Sequence, residues 1–315
     1  MLLLPCPWES AVLVLSQPVE QDTLSWASQR SSSELTARQA ELCVSTVGVW
    51  RPPTHPRRHL SMSQLSQSRA LVIVNTHFHS SDGNMAFGTR RGAKREAEKL
   101  SNVLSRLNYT VKLVSNKTAK EIEDLYWQEH YHEHGEYFVS IISSHGEEGI
   151  IFGCDTEPVQ LSHLFQILSS EKCPVLRKIP KIFFIQACRG KELDQGVVLE
   201  CDSGEPEPEC EPECLLDIPT IPPQTVVMFA CSPGYVAFLN PSGSMFLQAL
   251  LKVLEGEERH LDLIRLLTRI NGKVAFHCQA RGSYEGCKQM PCFITNLHQE
   301  VFPFSAPIME EADGV

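Results

Sequence analysis

The feature that most constrains this chain is an alternation of short apolar runs with amphipathic segments, which begins at Arg69. Runs of branched and aromatic side chains predict buried strands, whereas apolar residues spaced three and four apart predict helices. Strands that alternate with helices predict an α/β fold, with a mostly parallel central sheet and helices on both of its faces. On this basis strands are predicted at 69–75, 109–116, 136–144, 181–187, 224–232 and 290–297, and helices at 92–108, 118–130, 160–168, 243–255 and 260–275.

Two segments break this pattern. Residues 1–68 are rich in Ser and Gln, contain the stretch RPPTHPRR and have little periodicity, so we interpret them as a disordered leader. A small helical adaptor domain is the alternative interpretation of that segment. The segment 203–217 alternates Glu with Pro and carries six acidic residues and no basic one. Such a composition predicts an exposed linker.

Charge and cysteine usage exclude several classes of function. The net charge is −10, which argues against nucleic acid or an anionic membrane surface as the main partner. No apolar stretch approaches the roughly 20 residues that span a bilayer, and the first residues lack the basic region of a signal peptide. The 12 cysteines are scattered and several lie in apolar runs, which is typical of reduced thiols in a cytoplasmic protein.

Two predicted strands end in residues that carry chemistry. His145 and Gly146 follow the strand at 136–144, and Cys188 follows the strand at 181–187. Because the carboxyl ends of parallel strands open on one edge of the sheet, where ligands bind, His145 and Cys188 can meet there. An imidazole beside a thiol favours the thiolate and can later protonate a leaving amine. Taken alone, each residue also fits a structural role, the cysteine as a core thiol and the histidine in a solvated loop.

The residues around Cys188 form a recognisable pentapeptide. They read Gln186-Ala187-Cys188-Arg189-Gly190, the Q-A-C-R-G signature that in caspases follows a histidine by about 50 residues. The chain resembles the caspase family, cysteine proteases that cleave after aspartate, from about Arg69 to its C-terminus. The stretches SSHGEEG, ACSPGY and KQMPCF are similar to further landmarks of that family. The resemblance implies a three-layer caspase-like fold behind a short prodomain, as in effector caspases, with no cofactor and no metal.

The same resemblance implies roles for individual residues. Cys188 is expected to be the nucleophile and His145 the general acid and base. The backbone N–H groups of Gly146 and Cys188 are expected to form the oxyanion hole. The carbonyl of Gly88 is expected to orient the histidine.

A second set of residues is expected to bind the substrate. Arg90 and Gln186 hold the aspartate at P1, because a buried carboxylate needs a cationic, hydrogen-bonded partner. Arg91, one register step away, is the alternative to Arg90. Tyr235 and Phe238 lie in a strand that is expected to pair with the substrate, where Phe238 offers an aromatic wall for a small P2 side chain.

The stretch GYVAFLN departs from the family pattern Y-x-S-W-R-N. Ala237, Phe238 and Leu239 stand where Ser, Trp and Arg are expected, and Leu239 cannot form an ion pair. Loss of a charged hydrogen-bond partner from a carboxylate site costs roughly 1.5–3 kcal/mol. Two hypotheses follow, namely an active protease with weakened or altered specificity, or a caspase-like regulator that binds other caspases or adaptors.

The resemblance further implies activation by cleavage of the linker. Asp202, in LECD-SG, occupies a P1 position, and Asp217 is a second candidate that is followed by a bulky isoleucine. The resulting segments are a leader at 1–68, a large subunit at 69–202, the linker at 203–217 and a small subunit at 218–315. A homodimer of such subunit pairs, protein substrates with aspartate at P1 and a role in apoptosis or related signalling are expected.

A metal site is the last alternative. The stretch HYHEHGE carries His130, His132 and His134, and the acidic linker carries Cys210 and Cys214. Both patterns are more typical of a solvated surface, so no metal is assigned to either.

Overall fold

The structure is a computed structural model, which describes residues 67–80, 82–196, 220–280 and 282–305. Two predicted segments, the leader up to residue 66 and the linker at 203–217, lie outside the described residues. The two predicted processing sites, Asp202 and Asp217, lie outside them as well. The first strand begins at Ser68, one residue before the boundary expected from the sequence.

Within the described residues the chain forms a series of strands and helices. The strands are β1 (Ser68–Val74), β2 (Tyr109–Ser115), β3 (Phe138–Ser143), β4 (Gly146–Glu147), β5 (Ile150–Phe152), β6 (Pro158–Gln160), β7 (Lys181–Gln186), β8 (Gly190–Glu192), β9 (Thr225–Phe229), β10 (Gly234–Tyr235), β11 (Leu239–Asn240), β12 (Gly243–Ser244) and β13 (Cys292–Thr295). The α-helices are α1 (Ala93–Arg106), α2 (Ala119–Gln128), α3 (Leu161–Ile167), α4 (Met245–Glu255) and α5 (Leu263–His277).

The described part of the chain is organised by a six-stranded sheet in the order β13-β9-β7-β3-β1-β2. Every neighbouring pair is parallel except β13 and β9, which are antiparallel. The central strands β3, β7 and β9 are buried along their whole length, as a parallel sheet covered on both faces requires. The predicted parallel sheet is therefore confirmed, and it gains one antiparallel strand at an edge.

Alternate side chains of each strand pack on opposite faces of the sheet. In β7, Ile182 and Phe184 join one apolar core beneath α1, α4 and α5. Phe183 and Ile185 join the other core, beneath α2 and α3. This period of two follows from the pleat of a strand, and it confirms the predicted three layers of helix, sheet and helix.

Local signals in the sequence also set helix ends. Thr118 precedes α2, and its hydroxyl accepts a hydrogen bond from the Glu121 N–H while the Glu121 carboxylate accepts one from the Thr118 N–H. This capping box satisfies two backbone donors that a helix leaves unpaired. The cap predicted at Thr118 is confirmed.

Two of the three histidines considered for a metal site hydrogen-bond to backbone carbonyls. His130 Nε2 hydrogen-bonds to the Ile167 carbonyl at 2.8 Å, and His134 Nε2 hydrogen-bonds to the Glu129 carbonyl at 3.0 Å. In the described ranges no group of three or more His, Cys, Asp or Glu side chains is placed to hold a metal ion. No helix in those ranges is long and apolar enough to cross a membrane.

Candidate active site

A cavity of about 630 Å³ opens at the carboxyl edge of the parallel strands. This is the place where open α/β sheets bind ligands. Its lining brings together most of the residues that the sequence singled out, namely Gly88, Arg90, Arg91, His145, Gln186, Cys188, Phe238 and Leu239. Tyr235 does not line it and borders a separate, smaller cavity instead.

His145 is held in place from one side. Its Nε2 lies 3.0 Å from the Gly88 carbonyl oxygen, which can only accept, so Nε2 carries the proton and Nδ1 is free for other partners. The rings of Phe78 and Phe87 lie 4.7 and 5.2 Å from the imidazole, centroid to centroid. Burial lowers the pKa of His145, and the nearby Arg90 cation lowers it further, against the opposing effect of the hydrogen bond to Gly88.

Cys188 follows β7 and faces the segment before β11. Its Sγ accepts a hydrogen bond from the Ala237 N–H at 3.4 Å and lies 3.7 Å from the Ala237 carbonyl oxygen. In the described residues no hydrogen bond joins this sulfur to His145. The two side chains therefore share one cavity, as the sequence predicted, but the thiol is turned toward the Ala237 backbone.

Gly146 lies directly against Cys188. A Cβ at this position would come within 2.6 Å of the Ile150 carbonyl oxygen and 2.9 Å of the Ala187 Cβ. Only glycine therefore allows the chain after β3 to approach Cys188 so closely. The backbone of Gly146 therefore lies beside Cys188, since a Cβ on this glycine would also lie 3.2 Å from the Cys188 carbonyl oxygen.

Arg189, the residue after Cys188, makes contacts that stabilise the close packing of Gly146 against Cys188. Its guanidinium is 5% exposed, forms an ion pair with Glu148 at 2.6 Å and lies 4.1 Å above the Phe229 ring. Its Nη1 also donates to the Cys231 carbonyl at 3.4 Å. Since Glu148 lies two residues after Gly146, the arginine that follows Cys188 ties together the two strand ends that form the cavity.

Arg90 supplies a buried cation to the cavity. Its guanidinium donates to the Asn75 carbonyl at 2.9 Å and to the Ser143 hydroxyl at 3.0 Å. Burial lowers its pKa to about 10, against the raising effects of Glu96 and Cys188, so the group remains charged at neutral pH. The two bonds leave other N–H donors of the guanidinium available to a ligand.

Gln186 is a second buried polar residue that lines the same cavity as Arg90. It is 1% exposed, and its side-chain oxygen has no hydrogen-bond partner in the described residues. Buried polar atoms are nearly always paired, so this unpaired oxygen marks a place for a hydrogen-bond donor of a ligand. The Gln186 NH2 group is the part of the amide that can donate to a carboxylate, beside the free donors of Arg90. Together the two residues fit a carboxylate.

The opposite wall of the cavity is a short backbone segment from Ala237 to Leu239. The Phe238 N–H donates to Gln289 Oε1 at 2.7 Å, and Gln289 Nε2 donates in turn to the Ala230 carbonyl at 2.8 Å. Leu239 pairs with Ser244 in the hairpin formed by β11 and β12. The wall is thus fixed to the sheet by a buried amide, Gln289, which stands in the KQMPCF stretch.

Sequence reasoning missed several residues of the site. Lys191, Leu193 and Tyr284 line the cavity, and none of them belongs to a motif. Asn75 and Ser143, which hold Arg90, occur at strand ends, the same kind of position that pointed to His145 and Cys188. That shared position is the one signal that would have found them.

Comparison with known proteins agrees with this geometry. The family model described as caspase domain matches residues 67–302. This chain belongs to the caspase family. It is 32% identical to caspase-7 of Gallus gallus over 255 residues, covering 78% of this chain and 80% of that protein. It is 34% identical to caspase-3 of Bos taurus over 241 residues, covering 74% of this chain and 82% of that protein.

A solved structure supports the fold of this caspase directly. Caspase-1 from Spodoptera frugiperda superposes with a TM-score of 0.63 at 27% identity, covering 75% of this chain and 90% of that chain. The caspase-like α/β fold expected from the sequence is therefore confirmed. The chain is a cysteine peptidase, a hydrolase whose substrates are proteins.

Proposed function

We propose that this caspase cleaves proteins after aspartate, with Cys188 as the nucleophile and His145 as the general acid and base. The observation that carries this proposal is the shared cavity, in which both residues meet the buried Arg90 and Gln186. A cysteine and an imidazole in one cavity supply the chemistry, and the N–H donors of an arginine and of an amide supply the selectivity for a carboxylate.

The first step transfers the thiol proton of Cys188 to Nδ1 of His145 while the sulfur bonds to the substrate carbonyl carbon. The Gly88 carbonyl holds the other nitrogen of the ring, which keeps Nδ1 unprotonated and turned to the cavity. Before attack, the sulfur leaves the Ala237 backbone by rotation about χ1. The N–H groups of Gly146 and Cys188 stabilise the negative oxygen of the tetrahedral intermediate.

The second step returns the proton from His145 to the leaving amine. The C–N bond breaks, the amine departs and a thioester on Cys188 remains. His145 then takes a proton from water, the hydroxide attacks the thioester, and the carboxylic acid product and the free thiol are released.

Selectivity for aspartate follows from the hydrogen-bond donors and the positive charge at the floor of the cavity. Arg90 donates two of its hydrogen bonds to protein atoms and offers the remaining donors to the P1 carboxylate. The Gln186 amide completes the set. Tyr235, which lies outside the cavity, is assigned no contact with P1.

A second candidate function is that of a caspase-like regulator. Leu239 stands where the family pattern has an arginine, and the Cys188 sulfur accepts a hydrogen bond from the Ala237 N–H at 3.4 Å, in the backbone segment expected to pair with a substrate. Both observations favour weak substrate capture. In this role the chain would bind other caspases or adaptors without turnover of its own.

The proposal extends to how the protein is made active. Cleavage after Asp202, with Asp217 as the second site, would separate a large and a small chain in a zymogen of the cytoplasm. β13 is an edge strand of the sheet, which supports pairing with the same strand of a second copy in a homodimer. A role in apoptosis or related signalling belongs to this proposal.

The decisive experiment measures turnover of peptides with a reporter after aspartate. Wild-type protein is compared with Cys188→Ala, with Leu239→Arg and with Cys154→Ala, a control that removes a cysteine outside the cavity. Turnover that disappears in Cys188→Ala and persists in Cys154→Ala supports the protease. No wild-type turnover, together with turnover in Leu239→Arg, refutes it and supports the regulator.

Processing is tested separately by mass spectrometry of the active protein. New termini after Asp202 or Asp217 that are absent from Cys188→Ala support self-cleavage at those sites. An active protein with an uncut segment between them contradicts this part of the proposal.

A further inference from the structure

The loop between β1 and α1 carries an aspartate at its tip that does not line the cavity. Asp82 is followed by Gly83, and both residues are exposed. A Cβ added to Gly83 would have no atom within 4 Å, so the bond between these two residues projects into solvent. Exposed loop tips with small and polar residues are the positions at which proteases preferentially cut a folded chain.

The hydrogen bonds of this tip are confined to a single turn. The Ser80 N–H donates to the Asn84 carbonyl at 2.9 Å, and the Gly83 N–H donates to the Ser80 carbonyl at 2.8 Å. The Asp82 carboxylate accepts from the Ser80 hydroxyl, from the Asn84 N–H at 3.1 Å and from the Asn84 side-chain amide at 2.8 Å. Within the described residues, Asp82, Gly83 and Asn84 make no hydrogen bond outside this turn. The turn can therefore open locally while the core stays intact.

Asp82 differs in this respect from the other aspartates that the structure describes. Those aspartates lie in a helix, cap a helix or hydrogen-bond to a segment that is distant in sequence, namely Asp124 in α2, Asp262 at the start of α5, and Asp155 and Asp194. A protease that binds its substrate as an extended peptide would have to break these elements. At Asp82 it has to open one exposed turn, and the residue that follows is the smallest available.

The chain after the turn carries a part of the active site. The Phe87 ring lies 5.2 Å from the His145 ring, centroid to centroid, and the Gly88 carbonyl accepts the hydrogen bond from His145 Nε2. A cut before Gly83 would make residues 83–88 the start of a chain, and chain termini are less ordered than closed loops. The cut would therefore weaken the hydrogen bond that orients His145.

We propose that a second copy of this caspase cleaves the bond between Asp82 and Gly83, and that this cut switches off the active site of the copy that is cut. The proposal rests on the proposed function, because it requires cleavage after aspartate. Cys188 of the second copy bonds to the Asp82 carbonyl carbon, the C–N bond breaks and the Gly83 nitrogen leaves as an amine. Water then releases the Asp82 carboxylate from the thioester.

The site is tested with Cys188→Ala protein as the target, because this variant cannot cut itself. Wild-type enzyme is added in catalytic amount together with a reporter peptide, and mass spectrometry detects a new terminus at Gly83. A target that also carries Asp82→Glu keeps the charge of the turn, but the extra methylene should slow the cut by about 10- to 200-fold. A target that carries Asp124→Glu is the matched control and should be cut as fast as the parent target.

The outcomes separate this inference from the proposed function. A Gly83 terminus that forms in the parent and Asp124→Glu targets, but not in the Asp82→Glu target, supports the site. Hydrolysis of the reporter peptide without a Gly83 terminus overturns the inference and leaves the proposed function intact. A reporter peptide that is not hydrolysed refutes the proposed function together with the inference.

The switch is tested by following kcat/KM of the wild-type and Asp82→Glu enzymes during incubation. The wild-type value should fall by about 10- to 100-fold as the cut accumulates, because a small misplacement of catalytic groups costs that much in rate. The Asp82→Glu enzyme should keep its initial value. A constant kcat/KM in enzyme that is fully cut at Gly83, or an equal loss in both enzymes, overturns the switch.

Discussion

A buried carboxylate couples the first helix to the hairpin in the wall of the cavity, and its protonation should set part of the stability. Glu96 on α1 is 3% exposed and accepts hydrogen bonds from the Ser244 N–H at 2.9 Å and from the Ser244 hydroxyl at 3.0 Å. Ser244 in turn caps α4 through the Leu247 N–H. Burial raises the pKa of Glu96 to about 7, although Ser244 and Arg90 act in the opposite direction.

The magnitude follows from linkage between ionisation and folding. The pKa rises from 4.5 in the unfolded chain to about 7 in the folded protein, so between these values the folded state binds more protons. Stability from this group is complete below pH 4.5 and is lost as the pH rises through 7. At about 1.4 kcal/mol per pKa unit, the loss at pH 8 is on the order of 3 kcal/mol.

Glu96→Gln should remove this loss. The amide can still accept from the Ser244 N–H and can donate to the Ser244 oxygen, so both hydrogen bonds are retained without an ionisable group. Relative to the parent protein, the variant should gain roughly 2 to 3 kcal/mol of unfolding free energy between pH 5 and pH 8.

The measurement is urea unfolding at both pH values in a Cys188→Ala background, which prevents self-cleavage. Glu98→Gln, which changes an exposed glutamate of the same helix, is the matched control and should show little pH-dependent gain. Equal changes in the Glu96 and Glu98 variants, or a Glu96 variant that follows the parent protein at every pH, would refute the reasoning.

Three further predictions concern the site itself. Gly146→Ala should abolish peptide cleavage without unfolding the protein, because its Cβ would lie 2.6 Å from the Ile150 carbonyl; retained kcat/KM with a normal circular dichroism spectrum contradicts this. Arg189→Lys should lower the unfolding free energy by about 2–4 kcal/mol, because a fork of donors and a contact with an aromatic face are lost; an unchanged urea midpoint would count against it. On the acidic side, kcat/KM should decrease with a midpoint below pH 6.5, because burial lowers the pKa of His145 from its ordinary value of 6.5; a midpoint above pH 6.5 would contradict a lowered pKa of the base.

The sheet could be predicted because the spacing of apolar residues, in continuous or alternating runs for strands and three or four apart for helices, depends on which side chains are buried. Ile182 to Ile185 form an unbroken apolar run, and such a run has few solutions other than a strand covered on both faces. The strand ends then placed His145 and Cys188 at one edge. The pentapeptide around Cys188 identified the family, which the comparisons confirm.

The parts that could not be predicted depend on contacts between distant segments. The sequence neighbours of Glu96 do not indicate its partner Ser244, which lies 148 residues away. The sequence neighbours of Arg189 do not indicate its contact with the Phe229 ring. The orientation of the Cys188 sulfur depends on a backbone N–H from another segment. A side chain's partner across a sheet is a property of packing, and a single sequence carries no pattern for it.

The site is shared between two stretches of chain that meet side by side. Residues 67–196 bring Gly88, Arg90, His145, Gln186 and Cys188, whereas residues 220–305 bring the wall from Ala237 to Leu239 and Tyr284. The stretches are joined by the parallel pairing of β7 with β9 and by two common apolar cores. Neither stretch forms the whole cavity. If the chain were cut between them, the two fragments would have to associate to form the site, so activity would rise with the product of the two fragment concentrations until all fragments are paired.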